Sequence, residues 1–144
     1  VSKLVIVGEL NPYGQDPRFA LYHLPRHASG NRLREHLGLS DVEYEKIAKV
    51  NLCYGKWSMN AARETVKLIN SRFDVAVLLG AKVRDAFNGP EFYQVDIMEE
   101  GRAIALVTLP HPSGLNRMWN EPGARERARA VMRVVAPQLP WGSA

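Results

Sequence analysis

Four polar side chains stand at or just beyond the ends of apolar runs: Asn11, Asp16, Asn51 and His111. Two amides, a carboxylate and an imidazole can place a water, donate to a developing anion and pair with an amide-like edge, all without a metal. Other chemistries lack their residues. No G-x-G-x-x-G follows the first apolar run and no G-x-x-x-x-G-K-[ST] occurs, so neither a dinucleotide nor a P-loop signature is present. His23 and His27 are four apart but lie in a proline-bounded loop. The one cysteine, Cys53, excludes a disulfide or a four-cysteine zinc or iron–sulfur site within these residues. Ser113 lies near His111 without the strand–GxSxG–helix context of a hydrolase nucleophile. The expectation is a polar site with no metal and no cofactor.

The elements that must position these groups follow from hydrophobic patterning. Residues 3–7 (KLVIV) form a β-branched run ended by Gly8, the pattern of a fully buried strand, and NPYGQDP then reads as a loop. A helix is predicted from Ser29–Gly30, with Leu33 and Leu37 at i, i+4 and Gly38 as its stop. Ser40 and Glu43 read as a capping box for a second short helix to about Ala48. A short strand over Lys49–Cys53 and a helix over Ala61–Arg72 follow, and DVAVLL at 74–79 is the clearest buried strand, closed by Gly80. Helical turns over Ala81–Phe87 lead to two runs, Tyr93–Met98 and Ala103–Leu109, flanking Glu-Glu-Gly as a hairpin. Pro110–Pro122 is a loop with three prolines, and Ala124–Val135 a last amphipathic helix, arginine-rich on one side. Continuously apolar strands alternating with helices predict a single α/β domain over 1–144, its mainly parallel sheet covered on both faces. In such sheets the ligand crevice lies at the carboxyl ends of the strands, so the loops after Val7, Cys53, Leu79 and Leu109 should meet there.

These segments carry a resemblance. VIVGELNPYG resembles the first active-site motif of the uracil-DNA glycosylase superfamily, where a buried strand runs into G-x-[DN]-P, and HPSGLNR at 111–117 resembles the second. KVNLC is similar to the intermediate strand that supplies a base-reading asparagine, and DVAVLLG to the strand after it; the four come in the family's order and cover most of the chain. The resemblance implies a three-layer α/β/α sandwich. It also implies a monofunctional DNA glycosylase that hydrolyses the N-glycosidic bond of uracil, or a related modified pyrimidine, to leave an abasic site. Asn11 then positions the water, with Asp16 (in a literal GQDP at 14–17) and Glu9 (in a Gly-Glu pair similar to the GEAPG-type motif) as alternatives. His111 donates to the base O2 as charge develops, and Asn51 pairs with O4 and N3–H of the flipped uracil. Tyr13 lies against C5 and favours uracil over thymine, and Phe19 or Tyr22 stacks on the base. Leu115, in the loop Ser113, Gly114, Leu115, Asn116, Arg117, enters the base stack in place of the extruded nucleotide. Each residue also has a plainer role. Asn11 can form a turn before Pro12, Asn51 can tie down a strand end, Leu115 can fold onto Trp119, and Phe19 and Tyr22 can be core aromatics. A catalytically reduced binder of uracil-containing or modified DNA, and a base-modification or base-exchange enzyme on the same scaffold, are the alternatives.

Composition bounds these readings. At 144 residues, 46% hydrophobic and 24% charged, the chain has globular composition and one domain's length. No apolar run nears the roughly 20 residues of a membrane span and no signal-peptide pattern is visible, so a cytoplasmic, monomeric protein with no membrane partner is expected. The net charge of +4 is unevenly placed: Pro17–Arg34 holds four arginines and two histidines, and Arg102–Asn120 two arginines and one histidine, neither with any acid. A phosphate-facing surface built from these segments, with Arg18, Arg26 and Arg117 on DNA, is the expectation; two solvated loops are the plainer one.

Overall fold

The computed structural model describes residues 2–143, the side chain of Glu100 excepted. Five strands form one sheet: β1 (Leu4–Asn11), β2 (Ala48–Tyr54), β3 (Val75–Leu79), β4 (Val95–Glu100) and β5 (Arg102–Leu109), in the order β2-β1-β3-β5-β4. The first four positions in that order pair in parallel, and β4 closes one edge as the antiparallel arm of the hairpin with β5. Helices α1 (Ser29–Leu37), α2 (Asp41–Glu45), α3 (Met59–Arg72), α4 (Ala81–Phe87) and α5 (Ala124–Val135) complete the fold with two 3-10 turns, Pro17–Phe19 and Met118–Asn120.

Alternate residues of β1, β3 and β5 feed two separate cores. Ile6, Val77 and Val107 pack with Leu33 and Leu37 of α1 and Ala128 and Met132 of α5. Val5, Val7, Ala76 and Leu78 pack on the other face with Ala62, Val66 and Ile69 of α3 and Val83 and Phe87 of α4. The result is a three-layer α/β/α sandwich. A strand buried on both faces has no solvated side for polar residues, which is why β3 reads VAVLL without alternation.

Some boundaries move. β1 does not stop at Gly8: its backbone stays paired with β2 through Gly8↔Asn51 and Leu10↔Cys53 to Asn11↔Tyr54. A glycine lacks a side chain but keeps both ladder groups, so a parallel neighbour can carry the strand past it. Asn11 is therefore the last residue of a strand, not part of the following loop. The capping box forms, with the Glu43 N–H donating to Ser40 Oγ at 3.2 Å and the Ser40 N–H to Glu43 Oε1 at 2.8 Å. The helix it opens nevertheless ends at Glu45, because Ala48 already pairs with Val5 in the sheet. α3 begins two residues earlier than its apolar spacing indicates, where Ser58 Oγ caps the Ala61 N–H at 3.3 Å.

The chain passes from β1 to β2 on one side and returns to β3 on the other. The order in which strands are added thus reverses at β1, where α/β sheets open a crevice at their carboxyl ends. Among the described residues no helix is long and apolar enough to cross a membrane.

Candidate functional site

A cavity of about 340 Å³ opens at the carboxyl ends of β1 and β2, and Glu9, Asn11, Phe19, Tyr22, Asn51 and His111 are among its lining residues. Asn11 is 5% exposed, and its Oδ1 accepts from Asn51 Nδ2 at 2.8 Å. The two amides meet because Gly8 lies beside Asn51 in the parallel ladder, where a Cβ would overlap Asn51 Oδ1. Only glycine leaves that amide its place over β1. The pairing uses one N–H of Asn51 and one lone pair of Asn11. Asn51 keeps its carbonyl and second N–H for a ligand, and Asn11 keeps a lone pair that can accept a hydrogen bond from water.

His111 follows β5 by two residues and sits in a loop held by its own hydrogen bonds. Asn116 Nδ2 donates to the His111 carbonyl at 3.0 Å, Asn116 Oδ1 accepts from the Met118 N–H at 3.0 Å, and Trp119 Nε1 donates to the Pro110 carbonyl at 3.0 Å. The Ser113 N–H donates to His111 Nδ1 at 3.0 Å. With Nδ1 accepting, the proton of the neutral ring is on Nε2, and the imidazole is a donor. Burial pushes the His111 pKa below its ordinary value, against a smaller upward pull from the Glu9 carboxylate, so the ring is neutral near pH 7. Glu9 is the one acid among the residues lining the cavity, and Lys82 Nζ stands 3.6 Å from its Oε2.

Phe19 and Tyr22 line the cavity as an edge-to-face pair, centroids 5.3 Å apart. Two other sequence candidates stand outside the lining. Asp16 caps the first 3-10 turn, accepting from the Arg18 N–H at 3.0 Å and holding the Arg18 guanidinium at 2.6 Å. Tyr13 is 73% exposed; its ring covers Gly55 and meets Tyr54 edge-on at 5.6 Å.

The candidate DNA face divides in the same way. Leu115 is 94% exposed at the tip of the Ser113–Arg117 loop, beside Gly114. It does not rest on Trp119, whose ring stacks on His36 at 4.3 Å and 5°. Arg117 is exposed and has no ion-pair partner among the described residues. Arg26 instead clasps Asp41 with two 2.7 Å bonds and donates to Asn31 Oδ1 at 3.2 Å, while Arg18 is committed to Asp16. Sequence reasoning missed two cationic neighbours of the site. The Arg32 guanidinium lies against Gly114, and Lys82 faces Glu9 from the first turn of α4. Arg32 was visible in the acid-free segment; nothing in the sequence marks Lys82.

A scan of the chain against protein-family models finds no match, and neither does a search of the curated proteins.

Proposed function

We propose that this chain is a DNA glycosylase of the uracil-DNA glycosylase type, hydrolysing the bond between a flipped uracil-like base and its deoxyribose. The observation that carries the reading is a neutral histidine whose Nδ1 is already occupied, in the same cavity as a hydrogen-bonded asparagine pair, Asn11 buried and Asn51 half-buried. The extruded base enters between that pair and the Phe19–Tyr22 rings. The free carbonyl and N–H of Asn51 take the base N3–H and O4. As the N1–C1′ bond breaks, its electrons move onto the base, and His111 Nε2–H donates to O2 where that charge collects. A water held by the remaining lone pair of Asn11 attacks C1′, and its proton passes to Glu9. The Glu9 carboxylate also faces the positive charge developing on the sugar. Asp16 and Tyr13 have no part in these steps, because both stand outside the cavity lining.

The test is a panel of oligonucleotides carrying uracil, thymine mismatches or 5-substituted uracils, incubated with protein, treated with alkali and resolved on a denaturing gel. Uracil strands should break after alkali, and His111→Ala should slow release by ~10²–10³-fold, the usual loss for one such donor. No break on any base overturns the reading. Tight binding without a break identifies a catalytically reduced binder instead.

A further inference from the structure

A second cavity, of about 300 Å³, adjoins the first and is lined by Arg18, Phe19, Tyr22, Glu45, Ile47 and Lys49 among others. Phe19 and Tyr22 line both cavities, so one pair of rings is the wall between them. The strand pleat explains the arrangement. Lys49 and Asn51 are two residues apart on β2 and share a face, so the second cavity lies about 6.6 Å down the strand from the base-reading amide. That is a step suited to the next nucleotide of the same strand.

The polar groups of this second cavity are complementary. Glu45, at the end of α2, offers two carboxylate oxygens. Lys49 Nζ is held at 4.6 Å over the Tyr44 ring and donates to the Ile47 carbonyl at 2.6 Å, which leaves two N–H groups free. A flat ligand against the aromatic wall therefore meets a bidentate acceptor and a cationic donor. Among the bases, guanine presents two adjacent donors, N1–H and N2–H, next to one acceptor, O6. Adenine, cytosine and uracil each give a carboxylate a single donor on that edge.

We propose that this second cavity binds guanine, the base of the nucleotide next to the extruded one. Glu45 accepts from N1–H and N2–H, and Lys49 donates to O6. The flanking position rests on the glycosylase reading; the guanine site itself does not. Burial lowers the Lys49 pKa to about 8, and an acceptor such as O6 would draw it back up, so the ammonium gains a partner on binding.

The experiment has two arms. Titration calorimetry of the full chain with the 5′-monophosphates of guanosine, adenosine, cytidine and uridine should show guanosine monophosphate binding at least fivefold tighter. Glu45→Gln and Lys49→Met, both close in shape to the residues they replace, should each abolish that preference. Equal binding of the four nucleotides, or a preference that survives Glu45→Gln, overturns the proposal. In the second arm, uracil oligonucleotides carry each base in turn at the 5′ and 3′ neighbours. Guanine on one side should lower KM at least fivefold, and Glu45→Gln should erase the difference. Guanosine selectivity without uracil release leaves the second cavity standing and removes the glycosylase reading. Uracil release with neither guanosine selectivity nor a neighbour preference does the reverse.

Discussion

At the scale of single residues, the site turns on which groups are free to act. His111 has a donor on Nδ1, so Nε2–H is the group left to donate to a ligand, and the electrophilic role proposed for it needs the ring uncharged. Protonation would place a hydrogen on Nδ1 against the Ser113 N–H and break that bond. Burial holds the folded pKa below 6.5, so the ring charges only under more acidic conditions. The rate of uracil release should therefore fall, as pH drops, on a limb lying below 6.5, and a limb at or above 6.5 contradicts the assignment. The same logic separates the three water-positioning candidates. Glu9→Gln should lower kcat tenfold or more, and Asp16→Asn should leave kcat within about twofold, measured in single turnover. Asp16 stood in the more familiar string, yet its oxygens serve a turn and Arg18. The placement of Asn11, Asn51 and His111 at one end of the sheet was legible because Asn11 ends β1, Asn51 lies within β2 and His111 follows β5 by two residues. Asp16 and Tyr13 were not, because loop residues take their directions from neighbours the sequence does not display: Pro17 and Arg18 in one case, Gly55 and Tyr54 in the other.

At the scale of elements, the continuation of β1 past Gly8 does most of the positioning. It brings Asn11 to the strand end, and the missing Cβ at Gly8 lets Asn51 lie across β1. Gly8→Ala should leave the circular-dichroism spectrum intact, because the β1–β2 ladder needs only backbone. It should raise KM about tenfold or more, because Asn51 must swing away from Asn11. A melt that collapses, with KM unchanged in the residual folded fraction, would count against this account. The helices show a parallel division of labour. His36, on α1, stacks on Trp119, accepts from Arg125 Nε at 3.0 Å and thereby ties α1, α5 and the His111 loop together. Desolvation, with Arg125 adding to it, lowers the His36 pKa from 6.5 to about 4. The unfolded chain therefore binds more protons than the folded one between those values, and stability should decline as pH falls through that window. His36→Gln should flatten the dependence of Tm on pH between 6.5 and 4. An unchanged slope would mean that His36 does not carry it. Element types and order were plain from apolar runs, Gly38, Gly80 and the capping box. The ends were less so, since sheet pairing decided where β1 and α2 stopped.

At the scale of the whole molecule, the net charge of +4 conceals how much of the basic surface is already neutralised. The acid-free segment from Pro17 to Arg34 looked like a free cationic face because its partners are distant in sequence. Asp41, fifteen residues beyond Arg26, lies in bidentate contact with it, and Arg34 Nε stands 3.2 Å from the same carboxylate. The Arg26 guanidinium, with help from Arg34, holds the Asp41 pKa at about 2, so the carboxylate that clasps it stays charged throughout the physiological range. Among the exposed cations with no ion-pair partner in the described residues, Arg117 and Arg32, beside Gly114, flank the exposed Leu115 loop at the mouth of the site. Charge reversal therefore separates the two classes. Arg117→Glu or Arg32→Glu should weaken binding to all DNA sequences alike. Each should also reduce the slope of log K against log salt by ~0.9 for every phosphate that is no longer neutralised. Arg26→Glu should instead lower Tm, because it sets a glutamate against Asp41 in place of the guanidinium, and should change the salt slope little. Salt titrations by fluorescence anisotropy, with thermal melts of the same variants, decide the matter. If Arg26→Glu flattens the salt slope as much as Arg117→Glu while its Tm holds, the Asp41 clasp opens on DNA, and the phosphate-binding face extends across α1 to α2.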